Sequence, residues 1–308
     1  MALNPKEILL ICLGHNSLEK KNKLLASLPG NEWQKVIDLA KEQFILPFLY
    51  YQIKNVQADI PAETLSQLRG LLMETAATNL SLYHGINSLL NSLHAKGIPV
   101  IVLKGGYLAE AVYENVGLRT MSDIDLLVKE ADLPAVDNEL ISKGYRPKEF
   151  NRVIGPEHQH FGYTLPGRNL FVEVHWTIMP PVYKFIIDMP ELWKRAVPVT
   201  LGAAPAFSLG LEDVILHLCL HTAKHAAEMG IRMLVDIDVL LKRYQEKVNW
   251  TFLVETAREW KAEHAVYLVL RLSRDMLDAA VPDPVIKDLK PKEDVANYFT
   301  IAQKELLS

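Results

Sequence analysis

Apolar residues recur every three or four positions over long stretches at both ends of the chain, and this spacing predicts amphipathic α-helices. The N-terminal stretches are NEWQKVIDLAKEQFILPFLYYQI (31–53) and PAETLSQLRGLLMETAATNLSLYHGINSLLNSLHAKG (61–97). The C-terminal stretches are LEDVILHLCLHTAKHAAEM (211–229) and IRMLVDIDVLLKRYQEK (231–247). Pro61 followed by Glu63 is typical of a helix start, and Gly97 is typical of a helix end. We therefore predict helical regions over residues 1–97 and 208–308.

Between these helical regions the pattern changes to short β-branched and aromatic runs, which predict strands. The predicted strands are PVIVLK (99–104), DIDLLV (123–128), HFGYTL (160–165) and LFVEVHW (170–176). Helical spacing over 107–115 and 129–144 separates the first three, and PGRN (166–169) predicts a hairpin turn between the last two. Prolines recur over 177–207 and indicate extended connections or short strands. We expect an α+β fold, in which a small mixed sheet with helices over 98–207 is flanked by the two helical regions.

The predicted strand at 123–128 begins with two aspartates that flank a single isoleucine. Side chains alternate between the two faces of a strand, so Asp123 and Asp125 lie on one face, opposite Ile124 and Leu126. Two neighbouring carboxylates repel, and burying them is costly unless a cation lies between them. The pair therefore leaves two interpretations open: a strand end or helix N-cap in contact with water, or a metal site.

A third carboxylate lies in the strand LFVEVHW, where Glu173 shares a face with Phe171 and His175. The first predicted strand ends at Gly105-Gly106, directly before a predicted helix. Three carboxylates can hold two divalent cations for phosphoryl transfer, in which one cation activates a hydroxyl and the other binds a triphosphate. Paired glycines let the backbone approach phosphates, and a helix N-terminus supplies donors to them. Taken singly, an exposed hairpin face often carries a glutamate, and paired glycines often form a tight turn.

Composition and charge limit the classes of partner. Apolar residues make up 49% of the chain and charged residues 23%, with a formal net charge of -4, so we expect a globular protein without an extended nucleic-acid partner. The two cysteines, Cys12 and Cys219, support neither a disulfide framework nor a thiolate metal site, and they suit a cytoplasmic protein. The apolar run ILLICL (8–13) is too short to span a bilayer and follows no basic segment. We therefore expect no membrane partner and no signal peptide.

The motifs LKGGYLAEAVY, LRTMSDIDLLV, GY and VEVHW, followed by LEDVILHLCLHTAKH, together resemble the bacterial "uncharacterised nucleotidyltransferase" family. That family is part of the nucleotidyltransferase superfamily typified by DNA polymerase beta. The resemblance implies a nucleotidyltransferase-type sheet and an enzyme that depends on Mg²⁺ or Mn²⁺. Such an enzyme moves a nucleoside monophosphate from an NTP such as ATP onto an acceptor and releases pyrophosphate. The resemblance does not identify the acceptor, for which the modest negative charge favours a small molecule or a protein hydroxyl.

The motifs place the candidate site residues in three groups. Asp123, Asp125 and Glu173 are expected to bind the metal ions and to be catalytic. The candidates for binding the nucleotide are Lys104, Gly105, Gly106, Arg119 and Ser122. The candidates on the acceptor side are His175, His221 and His225. Lys104 and Arg119 are equally well explained as surface charges, and His175 as a structural histidine beside Trp176.

A stripe of histidines follows one face of the first C-terminal helix, because His217, His221 and His225 are each four residues apart. Two histidines at this spacing can bind zinc, but the residues between the first pair are Leu, Cys and Leu, so the H-E-x-x-H pattern is absent. The stripe is therefore either packed in the core or lines a cleft next to the acceptor. Asp236 and Asp238, in the next helix, are predicted to lie on the helical surface with at least one of them bonded locally.

Two other functions compete with transfer of a nucleotide. One is a nucleotide-binding or interaction protein that has this fold and no turnover, although a pure binding protein does not require three converging carboxylates. The other is a metal-dependent hydrolase built on the histidines and aspartates of the C-terminal helices. The sequence favours the nucleotidyltransferase, and a thermal shift with Mg²⁺ or Mn²⁺ and each NTP is the measurement that would discriminate among these functions.

Overall fold

The structure is a computed structural model that describes residues 3–26, 28–30, 32–148, 154–168 and 170–292, with backbone alone over 226–229. Parts of three predictions lie outside these ranges: both ends of the chain, Asn31 at the start of a predicted helix, and Asn169 in the predicted hairpin turn. Within the described residues the fold is α+β, as the sequence predicts. A mixed seven-stranded sheet is flanked by N- and C-terminal helices.

The structure describes five α-helices in the N-terminal part of the fold. They are α1 (Pro5–Leu13), α2 (Leu18–Leu25), α3 (Glu32–Glu42), α4 (Leu46–Ile53) and α5 (Ala62–Ala95). The single apolar stretch at 31–53 is divided into α3 and α4, because Phe44 adopts a left-handed conformation (φ 54°) and Pro47 occupies the first turn of α4. Gly97, with φ 71°, follows the end of α5 as predicted.

The central part of the chain supplies the sheet and three helices. In chain order its elements are β1 (Ile101–Val102), α6 (Lys104–Ala111), β2 (Ile124–Leu127), α7 (Leu133–Ser142), β3 (Arg146–Pro147), β4 (His160–Leu165), β5 (Leu170–His175), α8 (Met189–Lys194), β6 (Val197–Leu201) and β7 (Ala204–Ser208). The strand order is β3-β4-β5-β2-β1-β7-β6. Strands β2 and β5 are parallel, as are β1 and β7, and the other neighbours are antiparallel.

The proline-rich segment at 177–207 was predicted to form either extended connections or short strands. It contributes the hairpin β6–β7 to the sheet. Gly202 turns the chain there with φ 61°. Pro198 is accommodated because β6 is the edge strand of the sheet, where a missing N–H does not interrupt a ladder on both sides. At the start of the central region in the sequence, β1 is shorter than the predicted strand. Helix α6 begins at Lys104, which places Gly105 and Gly106 inside its first turn.

Up to residue 292, the last residue described, the C-terminal part of the fold contains five more α-helices. They are α9 (Leu211–Met229), α10 (Arg232–Tyr244), α11 (Trp250–Glu259), α12 (Glu263–Leu277) and α13 (Asp283–Leu289). Helix α9 is kinked at His225, whose backbone angles (φ -121°, ψ 16°) are not helical. No helix among the described residues is long and apolar enough to cross a membrane.

Two clusters of buried apolar residues hold these parts together. The larger cluster joins both sets of helices to the sheet and includes Ile8 of α1, Ile101 of β1 and Leu270 of α12. The second lies between the sheet and helices α5 and α7 and includes Leu89 and Val172. The N- and C-terminal helices therefore pack against each other as well as against the sheet. The division into regions 1–97, 98–207 and 208–308 stays a prediction.

Candidate active site

The three predicted carboxylates meet at the middle of the sheet. Asp123 directly precedes β2 and Asp125 lies within it, while the parallel register of β2 and β5 places Asp125 beside Glu173. Carboxylate oxygens of all three residues lie within 4.8 Å of one another. We call this group the three-carboxylate cluster. The predicted convergence is therefore present, and the same strand alternation that puts these residues on one face buries Ile124 and Leu126 on the other.

Lys104 approaches the cluster from the start of α6. Its Nζ donates to Oδ1 of Asp125 at 2.6 Å, and only 11% of the lysine side chain is exposed. Lys104 is therefore a buried partner of the cluster and the surface-charge alternative is wrong. Its backbone is left-handed (φ 43°), an uncommon conformation for a residue with a side chain, and such strain often occurs at functional sites.

The charges of the cluster act on one another. Burial raises the pKa of Asp123, and the neighbouring anions of Asp125 and Glu173 raise it further. Burial also acts to raise the pKa of Asp125, but the ammonium of Lys104 and the hydrogen bond from His175 outweigh it and hold that pKa well below its usual value. Asp125 is thus a carboxylate that stays ionised, next to a second one whose charge is disfavoured. That is the electrostatic pattern that a bound cation relieves.

His175 lies against the cluster with 1% of its side chain exposed. Its Nε2 is 2.9 Å from Oδ1 of Asp125 and 3.2 Å from Oε2 of Glu173. His160, directly opposite it on β4, has Nε2 3.6 Å from Oε1 of Glu173. Burial, followed by the proximity of His175, lowers the pKa of His160 to about 4. The prediction that His175 faces the site is consistent with this geometry, whereas its neighbour Trp176 packs in the apolar core.

Arg119 is fixed by an ion pair with the C-terminal helices. Its Nε and Nη2 donate to the two carboxylate oxygens of Asp236 at 3.2 and 2.9 Å, and the Tyr113 hydroxyl donates to the same carboxylate at 2.8 Å. Burial lowers the pKa of Arg119, but the Asp236 carboxylate more than compensates and raises it overall. Arg119 is thus not a surface charge.

The predicted surface position of Asp236 and Asp238 is wrong. Their exposed fractions are 2% and 4%, because α10 is covered on this side by other parts of the chain. Asp236 is bonded to Arg119, and Asp238 lies 2.6 Å from Nε2 of His15. Both are therefore bonded, but to residues far away in the sequence rather than locally.

The glycine pair allows close packing within the first turn of α6. A Cβ atom added at Gly105 would lie 2.3 Å from Nη1 of Arg119, and one at Gly106 would lie 2.8 Å from Cγ1 of Val102. Gly105 and Gly106, predicted to lie directly before the helix, are instead part of its first turn, and Arg119 packs against that turn. Gly105 faces the same cavity as the carboxylates, so its predicted role in binding a nucleotide stays a prediction.

We expect Gly105→Ala to lower the free energy of unfolding by about 1 kcal/mol, because the clash with the fixed Arg119 guanidinium outweighs the better helix propensity of alanine. Urea unfolding measures the change. Gly70→Ala is the matched control, since Gly70 is also helical and a Cβ there meets no atom within 4 Å. The control should be more stable than the wild type. Equal gains for both variants would show that Arg119 is not held in place.

A cavity of about 290 Å³ opens above the three-carboxylate cluster. The residues that line it are Lys104, Gly105, Arg119, Ser122, Asp123, Asp125, Gln159, His160, Glu173, His221, Lys224, His225 and Arg232. We call it the site cavity. Four of the five predicted nucleotide-binding residues line the site cavity, and Gly106 does not. His221 and His225 from the predicted histidine stripe also line it. Ser122 donates to the Asp123 carboxylate at 3.1 Å.

The histidine stripe divides between the cavity and the core. His221 and His225 face the cavity with their rings 4.9 Å apart. Burial and then Lys104 keep the pKa of His221 well below its usual value. His217 is buried deeper, and neither ring nitrogen has a hydrogen-bond partner in the described part of the chain. Burial lowers its pKa to about 3, so it is neutral and its role is packing.

Residues 29–278, most of the chain, match the protein family described as "Uncharacterised nucleotidyltransferase". The protein belongs to this family. The match confirms the resemblance drawn from the motifs, and no curated protein matches the chain.

This chain is similar, at low sequence identity, to several solved structures. The crystal structure of ANT(2")-Ia in complex with adenylyl-2"-tobramycin is 11% identical, with a TM-score of 0.43, and the match covers 60% of this chain and 99% of that chain. A solution structure of the antibiotic-resistance factor ANT(2'')-Ia is 13% identical, with a TM-score of 0.41 and coverage of 65% and 98%. An antigenic nucleotidyltransferase-like protein from Paracoccidioides brasiliensis is 15% identical, with a TM-score of 0.38 and coverage of 67% and 95%.

Four residues that line the site cavity were not predicted from the sequence: Gln159, His160, Lys224 and Arg232. His160 had a signal, because the hairpin register that places Glu173 also brings His160 opposite His175. Lys224 lies three residues after His221 in α9, close to the helical face of His221 and His225. This spacing could have predicted that Lys224 lines the same cavity. Arg232 had no such signal. Burial, followed by the neighbouring Arg119, lowers its pKa to about 10, and its guanidinium lies 5.6 Å from the ring of Phe44.

Proposed function

We propose that this protein is a nucleotidyltransferase that moves a nucleoside monophosphate from an NTP onto an acceptor hydroxyl and releases pyrophosphate, with Mg²⁺ or Mn²⁺ as cofactor. The observation that supports the proposal is the three-carboxylate cluster, whose oxygens lie within 4.8 Å of one another in a cavity bordered by lysine and arginine side chains. The family to which the chain belongs supports the same reaction class.

The residues present suit a hard divalent cation. Mg²⁺ and Mn²⁺ prefer oxygen ligands, and the cluster supplies carboxylate oxygens from three residues on adjacent strands. Burial, followed by repulsion from the Asp125 and Glu173 carboxylates, raises the pKa of Asp123, and a bound cation would cancel the repulsion. Asp123, Asp125 and Glu173 would hold the cation, which when bound offsets the charge of the phosphates and promotes attack by the acceptor oxygen.

The chain itself supplies the remaining parts of the proposed site. Lys104 is held at the cluster by Asp125 and presents an ammonium group to the cavity, where it offers positive charge to a triphosphate. Lys224 and Arg232 extend this positive charge along the wall formed by the C-terminal helices. The helix α6 adds the N-terminal end of its dipole on the same side. Lys104 therefore lies at the carboxylates, while Lys224 and Arg232 line the same cavity from the C-terminal helices.

The acceptor is proposed to be a small molecule or a protein hydroxyl. The formal net charge of -4 gives no general attraction to nucleic acid, and the cavity is at the small end of the range for ligand pockets. His221 and His225 form the wall that a second substrate would meet beyond the phosphates. His175 is bonded to Asp125, so it orients that carboxylate and is less suited to contact an acceptor.

Two measurements test the proposal. Thermal denaturation with Mg²⁺ or Mn²⁺ and each NTP reports binding, because a ligand that binds only the native state raises the melting temperature. Incubation with α-labelled NTPs, protein hydroxyls and pools of small hydroxylated compounds reports transfer of the labelled nucleoside monophosphate, and a separate assay for inorganic pyrophosphate reports its release. Binding together with transfer supports the enzyme. Binding without transfer or pyrophosphate release for any NTP would favour the silent nucleotide-binding protein. The absence of both binding and transfer would contradict the proposal altogether.

We expect the double variant His221→Ala/His225→Ala to raise the KM for the acceptor at least about 10-fold, the effect of losing one or two polar contacts to a substrate. NTP binding, measured by thermal shift, should change little, because Lys104 and Arg232 remain. His84→Ala/His94→Ala is the control, since these histidines lie on α5 and do not line the site cavity. A loss of NTP binding equal to the loss of acceptor use would place the histidines on the nucleotide instead.

A further inference from the structure

A second group of metal-ligand side chains lies beside the three-carboxylate cluster. His160, Glu173 and His175 each offer a ligand atom, and these atoms lie within 4.8 Å of one another. We call this group the two-histidine cluster. We propose that the two-histidine cluster is a separate binding site for a divalent transition-metal ion such as Zn²⁺, next to the oxygen-only site that suits Mg²⁺.

The spacing of the ligand atoms fits a small tetrahedral ion. Ligands bound to zinc at about 2.0–2.1 Å in a tetrahedron lie about 3.3 Å from one another. Here Nε2 of His175 is 3.2 Å from Oε2 of Glu173, and Nε2 of His160 is 3.6 Å from Oε1 of the same carboxylate. Both separations are within a few tenths of an ångström of that edge length. The two separations end on different oxygens of Glu173, so side-chain rotation is needed to bring the three ligand atoms, all within 4.8 Å of one another, onto one ion.

The backbone fixes this arrangement. His160 and His175 are direct partners in the antiparallel pair β4–β5, and their ring centroids lie 4.8 Å apart. Glu173 is two residues before His175 on β5, so all three side chains project from the same face of the hairpin. Ligands on paired strands are held more rigidly than ligands on loops, and such preorganisation favours metal binding.

The donor chemistry separates the two clusters. Two imidazole nitrogens and one carboxylate are a ligand set that zinc commonly uses, whereas Mg²⁺ prefers oxygen alone. Glu173 is common to both clusters, so two different ions would share one carboxylate. Of the two imidazoles, His175 is buried, with 1% of its side chain exposed, and His160 is 32% exposed on the wall of the site cavity.

Hydrogen bonding alone explains this geometry less well. Nε2 of His175 lies close to both Asp125 and Glu173. A neutral imidazole has at most one hydrogen on that nitrogen, so it can donate a good hydrogen bond to only one of the two carboxylates. The hydrogen bond goes to Asp125, which leaves the Glu173 carboxylate between two imidazole rings. An ion bound to Nε2 of His175 would replace that hydrogen bond, and the ring proton would then lie on Nδ1.

Direct metal binding tests the proposal without any measurement of turnover. Wild-type protein freed of metal by chelation is titrated with Zn²⁺, and with Co²⁺ as a visible probe whose absorption changes when nitrogen ligands bind. We expect one Zn²⁺ per chain that excess Mg²⁺ does not displace. His160→Ala and His160→Gln should each weaken Zn²⁺ binding at least about 100-fold, since losing a ligand exceeds the usual effect of losing an outer hydrogen bond. Circular dichroism confirms that the variants are folded.

Three control variants locate the ion. His158→Ala removes an exposed histidine two residues away and should bind Zn²⁺ like the wild type. Asp123→Asn alters only the three-carboxylate cluster and should also retain Zn²⁺. His221→Ala/His225→Ala removes the other histidine pair of the cavity. The proposal is overturned if the wild type binds no Zn²⁺, if both His160 variants bind it normally, or if only the His221/His225 variant loses it. None of these outcomes bears on the nucleotide-transfer proposal, whose test uses Mg²⁺ and NTP.

Discussion

Asp125→Asn is expected to leave the protein folded and to slow NTP-dependent transfer by about 1,000-fold or more, because charge stabilisation by a fixed group is commonly the largest contribution to such reactions. Asp125 is at the centre of the site. It pairs with Glu173 across β2 and β5, accepts from Lys104 at 2.6 Å and lies 2.9 Å from His175. Asparagine keeps the size of the side chain and removes its negative charge, so a cation loses a ligand while the strand pairing is retained.

The measurement is single-turnover transfer from an α-labelled NTP in the presence of Mg²⁺, once an acceptor has been found by the screen described above. Asp132→Asn is the matched control, because Asp132 lies in a short 3₁₀ turn after β2 and does not line the site cavity. Circular dichroism and urea unfolding separate loss of activity from loss of fold. A transfer rate for Asp125→Asn equal to that of the wild type would contradict the catalytic assignment, whatever the outcome for metal binding.

The carboxylates of the site were predictable because their positions depend on short-range geometry. Alternation along one strand places Asp123 and Asp125 on the same face, and alternation along another places Glu173 with His175. The sequence does not state that the two strands are neighbours. The family resemblance supplied that step, and the parallel register of Asp125 with Glu173 confirms it. Local periodicity and one topological fact were therefore sufficient.

Contacts between residues far apart in the chain could not be predicted from local sequence patterns. Asp236 was assigned to a helical surface, because helical spacing alone gives no sign that a residue 117 positions earlier would cover it. Arg232 is buried by the packing of α10 against the rest of the fold, and no periodic pattern distinguishes it from an exposed arginine. The division of α3 from α4 at Phe44 and the β6–β7 hairpin likewise depend on backbone angles and strand pairing that the hydrophobic pattern does not encode.

The ion pair of Arg119 and Asp236 carries the second large expected effect. It connects the segment before β2 with α10, so it joins the sheet to the C-terminal helices that form one wall of the site cavity. Only 11% of the Arg119 side chain and 3% of the Asp236 side chain are exposed. Water therefore screens this pair poorly, and removing one partner leaves a buried charge without its counter-ion.

We expect Asp236→Ala to lower the free energy of unfolding by about 3–5 kcal/mol, the range for breaking a buried ion pair from one side. Tyr113 loses its acceptor at the same time, which adds to the loss. Asp238→Ala is the matched control two residues later in α10. Its partner His15 is 28% exposed and can recover hydrogen bonds to water, so the loss should be smaller by at least about 1 kcal/mol.

A double-mutant cycle with Arg119→Met separates the pair from other effects of the substitution. Once Asp236 is alanine, Arg119→Met should cost little or even restore stability, because it removes the unpaired buried charge. Urea unfolding of the wild type, both single variants and the double variant gives the coupling energy. A coupling below about 0.5 kcal/mol, the usual limit of additivity for independent sites, would show that Arg119 and Asp236 do not hold the C-terminal helices against the sheet.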